Sequence, residues 1–149
     1  MAMTTKHTTK KQLVQLRVAL LQLHQKLLDY QRRHYEKAHG RVQSTGKMFT
    51  LASSNKEFAW LRSLSELIVS LDSYIDASEF DSKNIRSLFK YTKNILTPSA
   101  KKGPFETLYF EAIQNDPIVL ISHRKVIAAL ENKTPISVTL KIKLRKKLK

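Results

Sequence analysis

Residues 10–39 read KKQLVQLRVALLQLHQKLLDYQRRHYEKAH, and the spacing of the apolar residues in this stretch decides the fold. Leu13, Leu16, Leu20, Leu23, Leu27 and Tyr30 alternate in steps of three and four, a sustained seven-residue repeat. Val14, Leu21, Leu28 and Tyr35 add a second row at seven-residue spacing. Together they make an apolar stripe wider than a two-stranded coiled-coil seam, which predicts a bundle helix. Thirty helical residues would extend roughly 45 Å, enough to project past neighbours or to pair with a second copy. Gly40 is the expected stop, with His34, Lys37 and His39 complementing the helix dipole in the last turns.

The same periodicity continues downstream. Residues 40–56 read as a loop with a short turn through Met48, Phe49 and Leu51. Ser54 and Glu57 have capping-box spacing and open a second helix carrying Phe58, Leu61, Leu64, Ile68, Leu71 and Ile75. Asp81 or Ser82 caps a third helix, which Thr97-Pro98 ends. Pro104 starts a fourth, and Asp116 is the expected N-cap of a fifth, with Pro117 at its first position. The expected fold is all-α, a single bundle of four to five helices over residues 11–132. Residues 1–10 are expected to be disordered and 133–149 to form a basic tail. Within that tail Ile136, Val138, Leu140, Ile142 and Leu144 alternate with polar residues, a strand-like period. Leu140, Leu144 and Leu148 also share a helical face, so disorder, cross-chain pairing and helix are all open for the tail.

The charge is unevenly placed. Residues 1–47 carry a net +8, residues 48–132 cancel, and residues 133–149 carry +7, giving the chain +15. Excess charge gathered at the ends points to an acidic partner: nucleic acid, an anionic membrane or an acidic protein. Arg32, Arg33, Lys37 and Arg41, interleaved with Tyr30 and Tyr35, form one candidate patch. Lys141, Lys143, Arg145, Lys146, Lys147 and Lys149 form the other. Periodicity counts the two tyrosines as core residues rather than stacking platforms.

Enzyme chemistry finds little purchase. The chain has no cysteine, which excludes disulfides, thiolate metal sites and cysteine nucleophiles. Glu36 and His39 match half of a di-iron Glu-x-x-His pair, but no second pair exists to complete it. Gly40 to Met48 departs from the phosphate-loop pattern: five residues separate the glycines, Met48 follows Lys47, and a helix precedes. His24, His34 and His123 do not converge in sequence, and Asp72, Asp76 and Glu79 read as a solvated acidic face. No cofactor, metal or small-molecule substrate is expected. Met1 to Lys11 has no apolar core of a signal peptide, and no run is long enough to span a bilayer, so a cytoplasmic location is expected.

The segment Phe58-Ala-Trp-Leu-Arg-Ser-Leu-Ser-Glu-Leu-Ile68, ending near Asp72, resembles a segment of small uncharacterised bacterial all-helical proteins. Asp116-Pro117 with the following His123 fits the same likeness. The resemblance implies a helical fold and a bacterial source, and it brings no functional residue with it. The expected function is a non-enzymatic binding or adaptor protein that engages a polyanion through its basic ends. The alternatives are peripheral membrane association through the tail and a structural homodimer built on the first helix.

Overall fold

In the computed structural model the backbone is described for residues 2–77, 82–97 and 103–131, and side chains for 10–77, 83–97 and 103–131. The chain is all-α. Its described elements are α1 (Ala2–His39), α2 (Thr45–Ser54), a 3-10 helix (Lys56–Leu61), α3 (Arg62–Asp76), α4 (Ser82–Leu96), α5 (Pro104–Asn115) and α6 (Pro117–Leu130).

Helix α1 is the axis of the bundle. Leu13, Leu16, Leu20, Leu23 and Leu27 are fully buried, so the leucine stripe is consumed inside one chain. Gly40 ends the helix as expected, in the left-handed region at φ 86° with its N–H donating to the Glu36 carbonyl at 2.9 Å. The helix is described from Ala2 onward. No Gly or Pro interrupts residues 2–39, and each residue added to an existing helix gains a hydrogen bond without a new nucleation cost.

The expected loop at 40–56 is mostly helix, which takes the count to six α-helices among the described residues, above the four to five expected. Ser44 caps α2 by accepting the Lys47 N–H at 3.0 Å, and Leu51 buries its side chain. Gly46 in the first turn and the exposed Phe49 blur the apolar pattern there. The Ser54–Glu57 capping box does not form. Ser54 Oγ donates back to the Thr50 carbonyl at 2.8 Å, and Asn55 Oδ1 accepts the Glu57 N–H at 2.8 Å. Asn55 therefore caps a 3-10 helix that buries Phe58 and Leu61, and α3 starts only at Arg62.

A polar row on α1 sets the register with α3. Arg17, His24 and Gln31 stand at seven-residue intervals beside the leucine stripe. Arg17 pairs with Asp72 at 3.2 Å, His24 Nε2 with Ser65 Oγ at 2.8 Å, and Gln31 Oε1 accepts Trp60 Nε1–H at 2.8 Å. Seven α-helical residues rise roughly 10.5 Å. The partner positions 72, 65 and 60 close up by two residues at the last step, where the chain enters the 3-10 helix. Its longer rise of roughly 2 Å per residue keeps the two helices nearly in step.

Helix α6 returns along the other flank of α1, the most extensive packing in the molecule. Asn115 Nδ2 donates to Tyr30 Oη at 3.3 Å, and Asp116 accepts from Arg33. Asp116 is the α6 N-cap, as expected, accepting the Ile118 N–H at 2.9 Å with Pro117 at the first position. Helix α5 lays Phe105, Tyr109 and Ala112 into the core, and α4 adds Ile85, Thr92 and Leu96. The buried Thr92 hydroxyl is satisfied by the Leu88 carbonyl at 2.8 Å. The tail 133–149, the candidate cap Asp81 and the Pro98 stop lie outside the described residues.

Candidate polyanion-binding surface

The expected patch at the end of α1 is only partly available. Arg32 Nη1 donates to Glu36 Oε1 at 2.8 Å, and its Nη2 lies 3.8 Å from Asp29 Oδ1. Arg33 Nη2 donates to the nearly buried Asp116 Oδ2, and Arg33 Nε donates to the Asp29 carbonyl at 3.3 Å. Arg33 ties α1 to the start of α6, while the Arg32 charge is engaged by two carboxylates of α1 itself. Lys37 and Arg41 are exposed and form no ion pair among the described residues. Tyr30 is buried, and Tyr35 packs on Phe58 and His39 at ring separations of 5.9 and 4.4 Å, so both rings serve the core side of α1. Lys141, Lys143, Arg145, Lys146, Lys147 and Lys149 lie outside the described residues.

Helix α4 presents a cationic face that averaging over residues 48–132 conceals. Lys83, Arg86, Lys90 and Lys93 recur at spacings of three, four and three, and the helix contains no acid. At 100° per residue they fall within roughly 80° of arc, and the stripe extends roughly 15 Å. All four are exposed. Lys83 is already engaged in a contact of its own, while no carboxylate among the described residues pairs with Arg86, Lys90 or Lys93. Ile85, Thr92 and Leu96 anchor the opposite side of the helix. A shallow groove of about 620 Å³ is lined by Lys83, Arg86, Ser87 and Lys90. The signal was present in the sequence as four cations at helical spacing without an intervening acid.

Two histidines meet hydroxyls across helices. His24 with Ser65 resembles a nucleophile and base, but Ser65 sits inside α3, where the backbone N–H groups are committed to the helix and leave no oxyanion donors. Tyr109 Oη lies 2.7 Å from His123 Nδ1, and burial pushes the Tyr109 phenol well above its usual range. These pairs act as pins between helices. Burial lowers the pKa of both histidines, with the Arg124 charge adding to the effect at His123. A depressed folded pKa means the unfolded chain takes up protons first. Their contribution is complete above the unfolded value of about 6.5 and is lost as pH falls through the folded values. Urea unfolding should therefore show a lower midpoint at about pH 5 than at about pH 7.5. The doubly substituted His24→Gln, His123→Asn chain should be flatter over that interval; an equal loss would assign the effect elsewhere.

An apolar cleft of about 520 Å³ lies between the end of α4 and α5, lined in part by Ile95, Leu96, Phe110 and Ile113. Its Glu106 carboxylate folds over the first turn of α5, where a Cβ on Gly103 would fall 2.5 Å from Glu106 Oε2. Among the described residues no group of three or more His, Asp or Glu is placed to hold a metal ion. No helix of the described residues is long and apolar enough to cross a membrane.

Comparison with protein-family models, curated proteins and solved structures finds no match for this chain.

Proposed function

We propose that this chain is a non-enzymatic helical protein that binds a polyanion. The observation that supports this reading is the cationic stripe of α4, where Arg86, Lys90 and Lys93 share one exposed face and pair with no carboxylate among the described residues. Lys37, Arg41 and the seven basic residues of 133–149 add to the same long-range field. Arg32 and Arg33 have a structural task and drop to a secondary role. A cation that neutralises a phosphate releases a counterion, so affinity falls with salt in proportion to the phosphates engaged.

The test is fluorescence anisotropy of a labelled mixed-sequence oligonucleotide at several salt concentrations. Wild-type protein should bind with a steep salt dependence. The full-length R86Q/K90Q/K93Q chain should bind more weakly, with a log–log slope shallower by about 2. Equal affinity and slope for the two chains would remove α4 from the binding surface. Absence of binding by either would defeat the nucleic-acid form of the proposal.

A further inference from the structure

The outer half of α4 carries more than charge. Moving around the helix from Lys93, Arg86 and Lys90, the next exposed positions are Lys83, Asn94 and Ser87, followed by Tyr91. Tyr91 is 53% exposed, whereas Tyr30 and Tyr109 are buried at 9% and 2%. The rings of Tyr30, Tyr35 and Tyr109 each contact another ring; that of Tyr91 has no such partner among the described residues. Tyr91 stands about 100° around the helix from Lys90, with Asn94 and Ser87 on the arc between them, and no carboxylate among the described residues pairs with Arg86, Lys90 or Lys93.

We infer that this face of α4 binds single-stranded nucleic acid, with Arg86, Lys90 and Lys93 on the phosphates and the Tyr91 ring stacked on a base. The inference rests on the polyanion reading and names its ligand. A groove of cations that follows the backbone, with a ring to receive unstacked bases, is the recurring arrangement for single strands. Duplex nucleic acid offers the same phosphates but keeps its bases stacked away from a tyrosine at the rim of a helix face. A membrane surface would require apolar side chains flanking the cations. The bulky apolar residues of α4 face the bundle: Ile85 and Leu96 are buried, and Leu88, Phe89 and Ile95 pack against the core. Asn94, between the charge and the ring, is polar and suited to sugar and phosphate oxygens, while the Ser87 hydroxyl donates to the Lys83 carbonyl at 3.0 Å.

The experiment uses the full chain with labelled oligo-dT and, separately, a duplex of equal length, each titrated at several salt concentrations. Tyr91→Ala should weaken oligo-dT binding about tenfold, leave the salt slope unchanged and leave duplex binding unchanged. Tyr91→Trp should restore binding, and its emission, measured against the Trp60 background of the wild-type chain, should be quenched by oligo-dT. Because Tyr91 is exposed, the unfolding midpoint should stay constant across these variants and separates a binding loss from a folding loss. If Tyr91→Ala leaves oligo-dT affinity intact, or weakens duplex and single strand alike, the stacking inference fails while the polyanion reading stands. If R86Q/K90Q/K93Q leaves the salt slope unchanged, α4 is not the binding surface and the inference fails; if the wild-type chain binds neither probe, the polyanion reading fails with it.

Discussion

Leu23→Ala should lower the free energy of unfolding by about 3 to 4 kcal/mol, and Leu21→Ala by less than about 1 kcal/mol. The two leucines stand two residues apart on α1. Leu23 is fully buried in the middle of the run Leu13, Leu16, Leu20, Leu23 and Leu27, whereas Leu21 keeps 47% of its surface in water. Truncating Leu23 removes three carbons from the core, worth about 2.4 kcal/mol in transfer alone. The cavity left between α1 and its flanking helices adds the rest, because helices tied along their lengths cannot collapse into it. At Leu21 there is no enclosed cavity to create. In a chain of this length the Leu23 loss corresponds to a fall in melting temperature of roughly 10 °C. Urea unfolding of both variants provides the check, and comparable losses at the two sites would mean that the leucine stripe faces another way.

The second large effect is expected at the junction of α1, α5 and α6. Asp116→Ala should cost about 3 kcal/mol, combining a lost N-cap with a lost charge-assisted pair. Its side chain retains only 7% of its surface exposure. Oδ1 accepts the Ile118 N–H and Oδ2 accepts from Arg33. Burial pushes the carboxyl pKa up, but the Arg33 hydrogen bond and charge, with the Ile118 and Val119 N–H groups, hold it below the usual carboxylate range. That stabilisation is present above the unfolded pKa and is lost as pH falls through the folded one. Asp116→Asn keeps a capping oxygen and should cost only about 1 kcal/mol. Arg33→Gln should also cost about 1 kcal/mol, since the guanidinium is half exposed and solvent screens the pair. A double-mutant cycle over Arg33 and Asp116, measured by urea unfolding, isolates the coupling. A coupling near zero would return Arg33 to the free cationic surface and restore the expected patch at the end of α1.

The parts of the fold that were legible are those governed by neighbours in sequence. The leucine repeat named the buried face of α1, Gly40 its end, and Asp116-Pro117 the start of α6, because these depend on local backbone geometry and helical period. The stretch 45–61 departs from the sequence expectation for an equally local reason. Gly46 and Phe49 obscure α2, and the choice between Ser54 and Asn55 as a cap depends on Phe58 and Leu61 being drawn under the end of α1. A 3-10 helix has no apolar signature of its own and exists here because the core holds it.

The functional surface divides in the same way. A sequence lists cations but not their partners. Arg32, Arg33, Lys37 and Arg41 look alike in the chain, and packing separates them: Arg33 meets a carboxylate 83 residues away, while Lys37 and Arg41 meet none among the described residues. The α4 stripe could have been found by counting charge helix by helix, since its spacing is local. The exposure of Tyr91 beside it could not. The sequence by itself determined an all-α chain, the leucine face of its longest helix and its basic character, because helical period and formal charge are properties of neighbouring residues. Only the tertiary structure decided which cations are free, which tyrosine is exposed and that His24 and Ser65 meet, because those contacts join distant residues through the packing of a shared core.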